Sequence, residues 1–223
     1  MSVARERQPK PFTDEVPGAE GFLPERHTLP TLRAAIPSCR GCTLYKHATQ
    51  AVFGEGSAAS RVMLVGEVPG DREDLLGRPF VGPAGKLLDE ALAIGGIPRD
   101  DVYVTNAVKH FKYTQRGKRR LHDKPNRYEI AACKPWLRSE LEVIEPDIVV
   151  LMGATAAQAL LGSSFRVTRE RGHVMEGTGL AKWTFATVHP ASVLRAPDDE
   201  LRRLAKEDFI HDFELVGEFF KRL

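Results

Sequence analysis

Four short apolar runs, spaced along the chain and separated by stretches of helical periodicity, restrict the folds open to this sequence more than any other feature. They are Arg61–Gly66 (RVMLVG), Val102–Val108 (VYVTNAV), Asp147–Met152 (DIVVLM) and Trp183–Val188 (WTFATV). A strand that is apolar at successive positions, rather than at alternate ones, must be covered on both faces. The intervening segments supply the cover. Gly82–Pro83 opens a helix whose apolar face is Leu87, Leu88, Ala91 and Leu92, with Pro favourable at the first helical position. Asn126 with Glu129 forms a capping-box pattern that starts a helix to about Val143. Ala154–Leu161 reads as a short helix, and Phe209, Phe213, Val216 and Phe220 recur at helical spacing near the end. A further short helix is predicted over Thr31–Ile36. Strands alternating with helices define an α/β protein. The expectation is a three-layer α/β/α sandwich around a central, mostly parallel four-stranded sheet.

The 223 residues suit one domain, expected over 27–223. Residues 1–26, rich in charge, Pro and Gly and without periodicity, are expected to form a flexible tail. No apolar run approaches the ~20 residues that span a bilayer, and the charged N-terminus lacks the apolar core of a signal peptide. A cytoplasmic protein with no membrane partner is therefore expected. Net charge is only +2, so bulk charge does not announce a polyanion binder. Clustering is more informative: Lys109, Lys112, Arg116, Lys118, Arg119, Arg120, Lys124 and Arg127 fall close together. Such a patch is either a solvated loop or a set of phosphate ligands.

Sites in open α/β sheets lie beyond the carboxyl ends of the strands. Three polar segments fall there, Glu67–Asp74, Asn106–His122 and His189–Arg195, and they are expected to build one site. The chain also has Cys39-Arg-Gly-Cys42 and a distant third cysteine, Cys133. Three cysteines do not suggest a secreted disulfide framework. A zinc half-site, a redox pair and an iron–sulfur site all remain open. A four-ligand site needs one more donor, for which His47 and His110 are the candidates.

Taken together, Cys39-x-x-Cys42, GEVPGDRED (66–74), PFVGPAG (79–85), VTNAVKH (104–110), Cys133 with Pro135, and HPASVLR (189–195) resemble the family-4 type of uracil-DNA glycosylase. GKRRLH (117–122) resembles the KRRIH loop of the UdgX-type branch, which couples covalently to DNA after releasing uracil. The resemblance covers about residues 35 to 220. It implies a [4Fe-4S] cluster held by Cys39, Cys42, His110 and Cys133, the branch having histidine at the position of His110 where the conventional pattern has cysteine. His47 then becomes the lesser alternative.

It also implies roles for individual residues. Phe80 would be the platform for the flipped base. Asn106 would read uracil, since a side-chain amide can donate to O4 and accept from N3–H. His189 would donate to the oxyanion developing on O2. Glu67 and Asp71 are carboxylates able to stabilise a cationic sugar or activate a nucleophile. Leu194 would wedge beside the vacated base, and Lys118, Arg119, Arg120, Ser192 and Arg195 would contact DNA. His122 would attack C1′ of the deoxyribose. One departure stands out: the branch usually has Gln after the glutamate, and here it is Val68.

The expected activity is thus uracil excision from DNA, single strands preferred, with covalent trapping by a monomer that becomes nucleoid-associated on binding. A conventional glycosylase that turns over with water, and a non-catalytic iron–sulfur protein that binds single-stranded DNA, are the alternatives.

Overall fold

The structure, a computed structural model, describes residues 18–223. In chain order its elements are α1 (Leu29–Ala35), β1 (Val62–Gly66), α2 (Asp71–Leu76), α3 (Pro83–Gly95), β2 (Val102–Asn106), β3 (Tyr113–Arg116), β4 (Arg119–His122), α4 (Arg127–Ile144), β5 (Ile148–Met152), α5 (Ala154–Leu161), α6 (Val167–Glu170), β6 (Val174–Met175), β7 (Trp183–Thr187), α7 (Pro190–Leu194) and α8 (Asp199–Phe220), with short 3-10 turns between some of them. The predicted capping box is present: the Asn126 side chain accepts the Tyr128 and Glu129 N–H groups while Glu129 reaches back to the Asn126 N–H.

Among the described residues the main sheet has the order β2-β1-β5-β7-β6. The four apolar runs are its parallel strands, buried at every position. Residues alternate between two cores. Met63, Val65, Tyr103, Val149 and Leu151 face the layer that includes α4 and α5. Val62, Leu64, Val102, Val104 and Val150 face the layer that includes α3 and α8. The expected three-layer α/β/α architecture is the observed one.

Two features add to it. A fifth strand, β6, pairs antiparallel with β7 at the edge; at two residues it is too short to carry a periodic signal. The polar stretch after β2 contains an antiparallel hairpin, β3–β4, closed by Gly117 at φ +58°. No helix among the described residues is long and apolar enough to cross a membrane.

Of the tail expected over residues 1–26, residues 1–17 lie outside the described residues. From Gly18 onward the chain is packed. Ala19 is fully buried, and Phe22 and Leu23 rest on the core. A Cβ at Gly41, inside the Cys39–Cys42 loop, would lie 2.6 Å from the Gly18 carbonyl oxygen. Residues 18–19 thus lie against that loop, a long-range contact to which local composition is blind.

Candidate active site

The strand order reverses about β1: β2 lies on one side of it and β5 on the other. Such a reversal leaves a crevice at the carboxyl ends of the strands. A cavity of about 540 Å³ lies at these strand ends, and Glu67, Asp71, Phe80, Asn106, His122, His189 and Arg195 all line it, with Val68 and Leu194. The three polar segments singled out in the sequence therefore do converge.

Glu67 is the first residue beyond β1. Its carboxylate accepts the Thr155 hydroxyl at 2.7 Å, from the start of α5. Its carbonyl accepts the Val108 N–H at 3.0 Å, and the Gly66 carbonyl accepts the Ala107 N–H at 2.9 Å. The loops carrying Glu67 and Asn106 are thus stitched together past the strand ends. Asn106 ends β2 directly opposite Gly66 and is 3% exposed.

Phe80 has φ +54°, a conformation that is costly for a bulky residue and typical of functional sites. Its ring stacks on His189 with centroids 6.0 Å apart. Two glycines make room for it. A Cβ at Gly66 would stand 2.4 Å from Asn106 Oδ1 and 2.7 Å from Phe80 Cζ, and one at Gly85 would stand 1.7 Å from the Phe80 carbonyl oxygen. Gly66 does not announce this in the sequence, because its clash is with residues distant along the chain.

His189 caps α7. Its Nδ1 accepts the Ala191 N–H at 3.2 Å, so the ring's own proton resides on Nε2 when it is neutral. Burial, helped by Arg195 and His122, holds its pKa down at about 4. The ring is therefore a neutral N–H donor at physiological pH. His122 ends β4 at the cavity mouth, 6.2 Å from the Phe111 ring. Partial desolvation lowers its pKa below the ordinary histidine value, with Glu67 opposing and Arg195 assisting.

Two of the residues expected in the site, Arg120 and Asp71, pair with each other. Arg120, expected to contact DNA, gives Nε to Asp71 Oδ1 and Nη1 to Asp74 Oδ2, both at 2.6 Å. Its guanidinium also lies over Phe111 and Tyr113. These contacts tie the hairpin to α2. Asp71 lines the cavity and gives one carboxylate oxygen, Oδ1, to this pair. Asp74, which the sequence reading passed over, is fully buried and also accepts the Thr49 N–H and hydroxyl. Lys118 and Arg119 project from the hairpin tip, exposed. Ser192 is exposed, with its hydroxyl donated to the His189 carbonyl at 2.6 Å.

Cys39, Cys42, His110 and Cys133 are all buried. Trp136 Nε1–H donates to Cys39 Sγ and the Lys109 N–H to Cys133 Sγ, each at 3.2 Å. N–H groups aimed at sulfur are what thiolate ligands of a cluster accept. Burial pushes the Cys133 thiol up to about 12 and raises that of Cys42, while Cys39 adds to both by charge repulsion, so the three sulfurs sense one another. Burial and then Arg40 hold His110 down at about 4, which keeps it in the neutral, ligating form. His47 is exposed. Among the described residues no group of three or more His, Cys, Asp or Glu is placed to hold a single metal ion.

The fold and site define a doubly wound α/β protein with a cavity lined by carboxylates, an amide and two imidazoles at its strand-order reversal. Residues 53–214 match the family described as the uracil DNA glycosylase superfamily. The chain is 40% identical to the type-4 uracil-DNA glycosylase of Thermotoga maritima over 174 residues, covering 78% of this chain and 86% of that one. It is 37% identical to the type-4 enzyme of Archaeoglobus fulgidus over 82% of this chain and 88% of the other. It is 28% identical to the type-5 uracil-DNA glycosylase of Pyrobaculum aerophilum over 86% and 88%. The chain belongs to the uracil-DNA glycosylase superfamily.

Proposed function

We propose that this protein excises uracil from DNA, single strands preferred, and is then joined covalently to the deoxyribose C1′ through His122. It would work as a monomer in the cytoplasm, nucleoid-associated when bound. The observation that carries this reading is that His122 lines the same cavity as His189, Asn106, Phe80 and Glu67.

In this reading uracil stacks on Phe80, and the Asn106 amide donates to O4 and accepts from N3–H. As the N-glycosidic bond breaks, its electron pair moves onto uracil. The Nε2–H of His189 meets the charge growing on O2. Glu67, oriented by Thr155, faces the cationic sugar. The lone pair of neutral His122 then forms a bond to C1′. Its lowered pKa keeps that lone pair free of a proton at neutral pH. Arg195, Lys118, Arg119 and the segment around Ser192 are the candidate phosphate contacts.

Cys39, Cys42, His110 and Cys133 would hold a [4Fe-4S] cluster, which when bound supplies a cross-link between the N-terminal segment, the loop after β2 and α4. The N–H groups facing the sulfurs fit cluster thiolates, and the burial of His110 against the exposure of His47 supports this set over one containing His47.

The test is a denaturing gel after incubation with uracil-containing single-stranded DNA. A protein–DNA band that survives boiling, lost in His122→Ser, is the expected result. Free abasic DNA from the unmodified protein points to turnover with water. Retained binding with neither product points to a DNA-binding iron–sulfur protein.

A further inference from the structure

Beneath Asn106 lies a buried ion pair that the mechanism above does not use. The Lys109 and Glu140 side chains are 1% and 0% exposed and lie 2.5 Å apart. The other two hydrogens of the ammonium go to Thr105 Oγ1 at 2.6 Å and to the Asn106 carbonyl at 2.9 Å. Glu140 also accepts the Tyr103 hydroxyl at 2.9 Å and the Gly54 N–H at 3.2 Å. The Lys109 backbone N–H, meanwhile, is donated to Cys133 Sγ.

A buried ion pair is a poor way to gain stability, since well-packed apolar residues of similar volume serve as well or better. What this pair does that apolar residues cannot is hold a particular carbonyl. With its three donors all engaged, the ammonium has one orientation. It fixes the peptide that follows Asn106 and, through it, the direction of the Asn106 amide. Among the described residues no protein group hydrogen-bonds that amide, so its aim depends on the backbone beneath it and on the room that Gly66 leaves, where a Cβ would stand 2.4 Å from Oδ1.

We infer that Lys109, neutralised by Glu140, is a positioning residue for base recognition, holding the Asn106 amide in the orientation that reads uracil. The inference rests on the base-reading role proposed above for Asn106. The same residue touches Cys133, so the recognition loop and the cysteine pocket share one rigid segment.

The test compares Lys109→Met/Glu140→Gln, which removes both charges while leaving acceptors for Tyr103 and Thr105, with Tyr103→Phe, which disturbs the same carboxylate without touching Asn106. Three quantities are measured: affinity for free uracil, affinity for uracil-free single-stranded DNA, and visible absorbance per protein. The double variant is expected to bind uracil about tenfold more weakly, the loss of one buried hydrogen bond to an oriented group, with DNA affinity and absorbance unchanged. Tyr103→Phe is expected to match the unmodified protein. Lys109→Gln/Glu140→Gln, which restores a neutral donor, is expected to recover most of the uracil affinity. If the Met variant does not fold, Lys109→Leu/Glu140→Gln, which keeps the acceptor for Tyr103 and Thr105, takes its place. Uracil affinity within about twofold of the unmodified protein, or uracil and DNA affinities that fall together, overturns the inference. If the unmodified protein releases no uracil from DNA, the excision reading fails, while the free-uracil affinities still decide this one.

Discussion

Arg120 on β4 reaches across to α2 and places Nη1 2.6 Å from Asp74 Oδ2, a carboxylate with no solvent exposure. Only one residue separates Arg120 from His122, and alternation along a strand puts both on the same face of the hairpin. The ion pair therefore anchors the strand that carries His122 into the cavity lining.

Arg120→Met should loosen that anchor without removing a group from the cavity. The heat-stable adduct is expected to fall by about tenfold or more, because a nucleophile loses rate steeply when it is misplaced by an ångström. Uracil release should fall much less. Quantifying both products from one reaction on a denaturing gel checks this. Equal losses of adduct and release would show that the hairpin serves binding rather than attack.

The two cavity histidines give a defined pH dependence. Both have pKa values below the ordinary 6.5, so each is neutral above its own value and loses that form as pH falls through it. Adduct formation should hold through neutrality and decline only below the usual histidine range, as His122 protonates. His189 should impose no further limb until about pH 4. The same shifts bear on stability. The unfolded chain takes up protons near 6.5 and the folded one does not, so this contribution is complete above that pH and is lost as pH falls towards about 4. Adduct rates and melting temperatures between pH 4 and pH 8 test both statements.

Gly66→Ala should damage base recognition directly. The new methyl would overlap Asn106 Oδ1 and the Phe80 ring, and overpacking of this kind costs ~1–3 kcal/mol. Uracil release is expected to drop by about one to two powers of ten, while affinity for uracil-free single-stranded DNA stays near that of the unmodified protein. Asn106→Asp should give a similar loss for a different reason, since a carboxylate cannot donate to O4 and repels it. Single-turnover assays on the two variants, compared with their melting curves, separate recognition from stability.

The purified protein is expected to be brown and to carry four iron atoms per chain. His110→Ala should lose the colour and His47→Ala should keep it, because His110 is 5% exposed, buried as the three cysteines are, while His47 is on the surface. Iron and sulfide analysis with visible spectra decides it. A colourless protein with one zinc would contradict the expectation.

The sequence by itself determined the layers. Four runs that are apolar at successive positions can be satisfied only by a sheet covered on both faces, and Asn126 with Glu129 marked the start of α4 as it is found. It also named most of the cavity, since residues just past parallel strands must meet at one end of the sheet. Only the tertiary structure decided how those residues are held. Gly66 and Gly85 matter because Phe80 and Asn106 press on them. Asp74 matters because Arg120 arrives from a hairpin 46 positions along the chain, and Lys109 because Glu140 comes from α4 and the Asn106 carbonyl lies in its reach. Most of these contacts join residues far apart in sequence, and such contacts leave no local periodicity. Burial decided the protonation states as well. His189 and His110 are both held near 4 by desolvation, which depends on what surrounds an imidazole and not on its neighbours in the chain.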